Sequence, residues 1–438
     1  MQKAIKNVSS LLLSYGCLLL GSGLFMTLLS LRSSLEGFST STTGLVMSGY
    51  YMGVFLGARY GAILVNRVGY IRTFSVLASV ISIMPLAHML WVDAYVWFVF
   101  RVITGFAMAG MIMVTESWLN TGVDNSERGN LLGVYMVINY LGAGAAQLLL
   151  LLHDVDGYQL FVMSSICFSL CLLPVALTKR PEPTPEPPQP LRILPTLKRT
   201  PVGFFSAVCA GFLGASFNSI GPIFALEIGL SNQHIVIFMS LGICGGLVLQ
   251  KSVGKLSDKI DRRKVIAMIA TAVFIVCLMM RWQISYGFNL VTLCINSFVY
   301  GSLAFTLYSL GAAHANDWAK DGARMQTAGA LLVAYSIGAV IGPMVSAAAM
   351  SSFGAVALFD SLAAGASLLM LFSFAQLSGF RGRRPRIKKQ FVPRPGSYYT
   401  SGEIYNAVQA ESEPVINDVQ PASQEDKPAQ NSETSELR

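Results

Sequence analysis

The sequence predicts an all-α membrane protein of twelve transmembrane helices, arranged as two pseudo-symmetric bundles of six. Three observations predict it. Apolar residues make up 53% of the 438-residue chain and charged residues only 12%, against about 25% charged in a soluble domain. Twelve apolar runs follow one another, each close to the ~20 residues a helix needs to cross a bilayer. Finally, Gly105, Arg128, Gly133 and Gly142 return as Gly301, Arg324, Gly329 and Gly338, at a constant offset of 196 (324 − 128). A period this long marks a duplicated membrane half, not a solenoid.

The runs lie near residues 10–31, 44–65, 71–92, 95–119, 129–152, 158–178, 201–226, 234–253, 265–282, 288–313, 326–350 and 354–376. Barrel strands are excluded because their lipid and lumen faces alternate, and open sheets cannot span lipid. Lys3 and Lys6 before the first run resemble the start of a signal peptide. That run is too long, lacks an A-x-A site and leads into further spans, so it reads as a retained helix. The chain then divides into an N-terminal bundle (1–178), a Pro-rich linker (179–200), a C-terminal bundle (201–376) and a tail (377–438) that is basic, then acidic and disordered.

The net charge of +8 does not imply nucleic acid, because its distribution follows the membrane. With both termini inside, every Lys and Arg falls in or near cytoplasmic segments except Arg32 and Arg281 outside and Arg101 within a span. The positive-inside rule fixes that orientation, with both termini cytoplasmic. All seven cysteines (17, 167, 171, 209, 244, 277, 294) lie inside apolar runs without metal or redox spacing. Gly245 to Ser252 resembles a phosphate loop, but Gln250 stands where the second glycine is needed. The histidines at 88, 153, 234 and 314 are scattered, and no paired-carboxylate or nucleophile set occurs. No cofactor, no metal and no enzymatic activity are expected, and the chain reads as a monomer in the lipid bilayer.

Two loops carry related motifs. Gly254-Lys255-Leu256-Ser257-Asp258-Lys259-Ile260-Asp261-Arg262-Arg263 follows span eight. Ala62-Ile63-Leu64-Val65-Asn66-Arg67-Val68-Gly69-Tyr70-Ile71-Arg72 follows span two, with Asn66 in place of the acid. Both resemble the G-x-x-x-D-[RK]-x-G-[RK]-[RK] loop of the major facilitator superfamily. Arg101 to Gly105 on span four is similar to the R-x-x-x-G signature of its proton-coupled members. Gly338-x-x-x-Gly342-Pro343 resembles the antiporter motif, displaced to span eleven. Glu116-Ser117-Trp118-Leu119-Asn120, Arg128-Gly129, Tyr135, Tyr140 and Gln147, with Arg67-Val68-Gly69 and Ile71-Arg72, resemble the YcaD-type branch. The resemblance covers about residues 8–376 and implies the major facilitator fold, alternating access and a multi-pass place in the plasma (inner) membrane.

Physical reasoning assigns candidate roles. A carboxylate at a helix end among cations can latch a gate, giving a cytoplasmic gate of Asn66, Arg67, Gly69, Arg72, Glu116, Arg128, Gly254, Asp258, Lys259, Arg262 and Arg263. Glu116 serves either that gate or proton binding. Arg101 in a span costs at least about 2.5–3.5 kcal/mol, so it is read as facing the cavity, with Arg59, Tyr135, Asn139, Tyr140 and Gln147. Tyr50, Asn218, Tyr300 and Tyr335 are further candidate polar groups of the cavity. The equivalents of Arg101 and Glu116 are Ser297 and Ala312, which concentrates charge in the first half.

These readings imply a secondary transporter for a small organic molecule, driven by protons. Export of an amphipathic compound fits the apolar lining, and proton-coupled import of an organic anion is the alternative. A receptor or scaffold on the same fold, signalling through its tail, is the reading from another class.

Overall fold

The computed structural model describes residues 2–121, 125–177, 193–319, 324–379, 388–394 and 414–415. The first half contains α1 (Gln2–Leu35), α2 (Thr40–Val68), α3 (Tyr70–Leu90), α4 (Ala94–Thr121) and α5 (Asn125–Ala146). A 3-10 turn (Gln147–Leu151) prolongs α5, and the sixth span is split into α6 (Gln159–Leu170) and α7 (Leu172–Ala176). A short α8 (Ile193–Arg199) leads to α9 (Pro201–Glu227), then α10 (Asn232–Gly245) with α11 (Gln250–Lys259), and α12 (Arg262–Tyr286). The chain continues through α13 (Leu290–Ala304) with α14 (Leu307–Asp317), α15 (Arg324–Phe353) and α16 (Ala357–Gly379). The prolines of the linker up to Pro190, and Arg381, Arg383, Arg384 and Arg386 of the basic block, lie outside the described residues.

Eleven described stretches are long and apolar enough to cross a bilayer. The twelfth expected span is α2, 29 residues long, whose glycines, tyrosines and Arg59 dilute its apolarity. It tolerates this because α4 and α15 pack along it, so less of its surface needs to suit lipid. The duplication shows in the packing as well. Gly105 on α4 lies so close to the Tyr50 carbonyl of α2 that a Cβ would overlap it, and Gly301 on α13 stands the same way against the Gly242 carbonyl of α10. The paired glycines are where two helices of each half cross at backbone contact.

Two helix breaks were not legible as an apolar pattern. The eighth span is interrupted between Gly245 and Gln250, and the tenth at Phe305 and Thr306. A carbonyl freed by a break inside lipid needs a partner; Gln250 Nε2 donates to the Phe305 carbonyl at 3.1 Å, so one break satisfies the other. The equivalent helices of the first half, α2 and α4, are continuous.

The halves meet along a seam on the face that bears the 36–39, 228–231 and 354–356 loops. Ser30 Oγ donates to the Ser219 carbonyl at 2.6 Å and Thr40 Oγ1 to Glu227 Oε1 at 3.0 Å. The Ser41 amide and hydroxyl both reach Ser351 Oγ, at 3.1 and 2.8 Å. Gly44 lies against Pro343 and Ala347 of α15. The other face carries the basic loops, and there the tail enters the fold. Strand β1 (Lys388–Lys389) pairs antiparallel with β2 (Pro414–Val415), and Phe391, Val392 and Arg394 are buried. Residues 388–394 and 414–415 are the described part of the tail beyond 379, and the expectation of disorder for the rest falls on residues outside those described.

Candidate functional site

Between the halves, near their middle, Gly23, Met26, Thr27, Tyr50, Tyr51, Val54 and Gln147 of the first half face Asn218, Met239, Ile243 and Tyr335 of the second. The space they enclose admits the centre of a water-sized sphere over only about 10 Å³, near the minimum that one water needs. The site is therefore collapsed around its own side chains. Its lining is aromatic and thioether with a few amides and hydroxyls, the makeup of an amphipathic binding site. Thr27 Oγ1 donates to Gln147 Oε1 at 2.7 Å, and Gln147 Nε2 donates to the Gly23 carbonyl at 3.3 Å. The predicted cavity residue Gln147 thus ties the end of α5 to α1.

Arg101 stands directly behind this lining and is 1% exposed. Its guanidinium carbon lies 4.6 Å from the centre of the Tyr50 ring and 5.7 Å from that of Phe25, and Nη2 meets Met26 Sδ at 2.8 Å. Its Nε has no hydrogen-bond partner, and among the described residues no carboxylate forms an ion pair with it. Cation–π contact in a dry site contributes about 2 kcal/mol, less than a buried charge loses with its water. His88, which the sequence gave no reason to single out, packs edge-on to Phe25 at 5.1 Å, with Nδ1 2.7 Å from the Met84 carbonyl and Nε2 unpartnered. At the equivalent place in the second half, Ser297 simply donates to the Phe238 carbonyl at 2.9 Å. Among the described residues, the first half places a cation without an ion-pair partner next to the cavity, where the second half has Ser297.

Closer to the basic face is a polar cluster. Tyr135 OH donates to Glu116 Oε1 at 3.0 Å, and its ring stacks on Tyr15 at 4.4 Å. Asn139 Nδ2 donates to Tyr15 OH, while Asn139 Oδ1 is buried without a partner. The residue types proposed for cavity and gate thus meet in one place, with Glu116 fully buried among them. Tyr140 lies further toward the second half and accepts from Gln250 Nε2 at 3.2 Å. Tyr300 donates to the Leu213 carbonyl at 3.0 Å, inside its own half. Arg59 stands apart from the cavity. It is exposed, with its guanidinium 5.4 Å from the ring of its neighbour Tyr60.

The two motif loops differ as their sequences do. In the second half, Arg262 is 1% exposed and donates from Nε to Asp317 (2.7 Å), from Nη1 to Ser257 (2.8 Å) and from Nη2 to Asp258 (3.0 Å). One guanidinium joins the ends of α11, α12 and α14. Gly254 is buried, and Lys259 is exposed. In the first half, Asn66 Nδ2 turns back to the Ala62 carbonyl at 2.8 Å, and Arg67 and Arg72 are exposed. Gly69 ends α2 at φ 87°, a conformation that glycine adopts without strain. Arg128, at the start of α5, is half-buried. The second half thus carries an ordered charge network on this face, centred on Arg262.

Beside it, Asp261 caps α12 through the Arg263 amide at 2.9 Å and pairs with the Arg263 guanidinium at 2.8 Å. Burial raises the Asp261 carboxyl, but its bonds to Arg263 and the Arg263 charge together outweigh this and leave it below the usual carboxylate value. Since the folded value is lowered, the stabilisation is present above about pH 4 and is lost as pH falls below it. Asp261→Ala is expected to cost about 1 kcal/mol as a lost cap. In thermal unfolding in detergent, the gap between parent and variant should close at acid pH.

The model for the Major Facilitator Superfamily matches residues 11–310 and 204–423. An uncharacterized MFS-type transporter of Enterobacter sp. (strain 638) is 26% identical over 365 residues, 82% of this chain and 94% of that one. The uncharacterized MFS-type transporter YcaD of Salmonella arizonae (strain ATCC BAA-731 / CDC346-86 / RSK2980) is 25% identical over 370 residues, 84% and 94% of the two chains. Among solved structures, the nucleoside transporter NupG superimposes with a TM-score of 0.71 at 16% identity, covering 86% of this chain and 99% of that one, a likeness of fold. With its duplicated halves, its central site and a family match along most of its length, this chain belongs to the Major Facilitator Superfamily, with YcaD-type transporters among its relatives.

Proposed function

We propose that the protein is a proton-coupled transporter that exports small amphipathic organic molecules by rocking its two halves about the central site. The observation that carries the substrate class is the lining of that site: Met26, Tyr50, Tyr51, Met239, Ile243 and Tyr335, relieved by Thr27, Gln147 and Asn218. Such a surface binds aromatic and aliphatic bodies and orients them through a few polar groups. The uncompensated Arg101 behind Tyr50 and Met26 suits an anionic group on the substrate. It also favours a second reading, import of an organic anion by proton symport.

Glu116 is the proton carrier in this scheme, a fully buried carboxylate held by Tyr135 between the site and the basic face. The membrane potential supplies about 2.3 kcal/mol per charge per 100 mV. Positive-inside asymmetry makes the basic face cytoplasmic, with both termini on that side, in the plasma (inner) membrane.

The test is flux in proteoliposomes under an imposed proton gradient, with ethidium as the amphipathic probe and 2-oxoglutarate as the anionic one. Ethidium movement that depends on the gradient supports export, and 2-oxoglutarate accumulation supports the second reading. Glu116→Gln should uncouple either from the gradient while leaving downhill exchange within about threefold of the parent. Unchanged coupling in Glu116→Gln would remove the carboxylate from its role.

A further inference from the structure

We infer that residues 388–394 of the tail form an autoinhibitory plug, which occupies the basic-face cleft and must leave before the protein can transport; the inhibitory part of this rests on the transporter reading above. The tail backbone is bound at two levels of one helix. The Phe391 amide donates to both Asp258 oxygens at 3.0 and 3.1 Å. The Arg394 amide donates to Ser309 Oγ at 2.9 Å, and the Arg394 carbonyl accepts from Gln250 Nε2 at 3.3 Å. From Asp258 back to Gln250 is eight residues of α11, about 12 Å of helix at 1.5 Å per residue. From Phe391 to Arg394 is three residues, about 10 Å of extended chain. The tail therefore runs alongside α11, antiparallel to it and into the bundle, with each residue carrying it deeper.

Its side chains fill what they meet. The Phe391 ring lies flat enough against Gly254 that a Cβ there would overlap it, which gives this motif glycine a local reason. Phe391 and Val392 are 9% and 6% exposed, and Arg394 only 2%. The Arg394 side chain hydrogen-bonds Tyr308 of α14, and Tyr308 also lies within the electrostatic reach of Glu116. A long cation from the tail is thus lodged where the second half faces the proposed proton carrier. Upstream, strand β1 packs on α14 and is held by β2, so the inserted residues are anchored at their outer end.

The contact made at Gln250 turns occupancy into inhibition. The same amide nitrogen lies within hydrogen-bond distance of Tyr140 OH of the first half (3.2 Å), the Phe305 carbonyl at the break in the tenth span (3.1 Å) and the tail carbonyl (3.3 Å), three acceptors that share its two hydrogens. The tail therefore fastens to the group that links the two halves and both helix breaks. With the seam on the opposite face closed as well, the central site is sealed from both sides, in keeping with its collapsed volume.

The test uses the full chain and a thiol probe that needs no substrate. Ala313 lies one turn beyond Ser309 on the same face of α14 and is buried. Ala313→Cys is labelled with a water-soluble methanethiosulfonate, and the parent chain serves as blank for its native cysteines. Adding Phe391→Ala and Arg394→Ala should speed labelling at least tenfold and raise probe flux in proteoliposomes severalfold. The heptapeptide of sequence Lys388–Arg394 at millimolar concentration, the range a tether provides, should reverse both. Equal labelling with and without the tail substitutions overturns the plug. Faster labelling with unchanged flux overturns the inhibition. Faster labelling with no flux of either probe in any variant leaves the plug standing and instead overturns the transporter reading.

Discussion

Arg101→Ala is expected to reduce gradient-driven flux of the anionic probe, 2-oxoglutarate, by about 30- to 150-fold, and to leave that of the cation ethidium largely unchanged. That range follows from losing one charge-assisted contact to the substrate, about 2–3 kcal/mol at 1.4 kcal/mol per tenfold. Arg101→Lys should not rescue it. A planar guanidinium lies over the Tyr50 ring with one edge at Met26, and a compact ammonium reproduces neither the stacking nor the fork. Stability should move little, because removing an unpaired buried cation relieves a desolvation cost while leaving some unfilled volume. Measuring flux beside thermal unfolding separates the two. A folded Arg101→Ala protein that transports both probes at the parental rate would end the case for an anion anchor.

The second large effect is structural. Arg262→Ala should destabilise the second half by about 3–5 kcal/mol, since it removes the cation paired with the buried Asp317 carboxylate. Asp317 is only 2% exposed and has its 2.7 Å contact with Arg262. The double variant Arg262→Ala with Asp317→Asn should recover part of the loss, because no buried charge then remains on α14. Thermal unfolding of the four proteins gives the coupling directly. Additive losses would show that the two residues act separately, and that the network at the ends of α11, α12 and α14 is not a unit.

The spans were legible because lipid demands long apolar helices, and the offset of 196 was legible because helix crossings at Gly105 and Gly301 tolerate no side chain. α2 was legible from its apolar run near 44–65 like the other spans, although its glycines, tyrosines and Arg59 make it less apolar than they are. The breaks in the eighth and tenth spans were hidden, since Gln250 and Phe305 satisfy each other only across space. Arg101 stood out by the cost of its burial; His88 and Met26 did not, because a histidine near a span end and a methionine inside one look like ordinary packing. Glu116 was open between gate and proton site, and its bond to Tyr135 places it beside Tyr15 and Asn139. Arg59 shows the converse case, a costly charge in a span that rests on Tyr60 away from the cavity. In the tail, whose overall composition is polar and charged, the short Phe391-Val392-Pro393-Arg394 run that binds is too brief to stand out.

The seam opposite the basic face has an energetic consequence of its own. It is joined by the hydroxyls of Ser30, Thr40, Ser41 and Ser351 and by one glycine-to-helix contact, and each of those bonds can be exchanged for one with water when the seam parts. Such exchanges cost about 0.5–1.5 kcal/mol apiece, far less than breaking buried ion pairs. The hydrogen bonds of the seam therefore weigh only a few kcal/mol between the closed and parted forms, within what differential binding of one small molecule can supply. A joint of small hydroxyls makes the protein a balance that its cargo can tip in either direction.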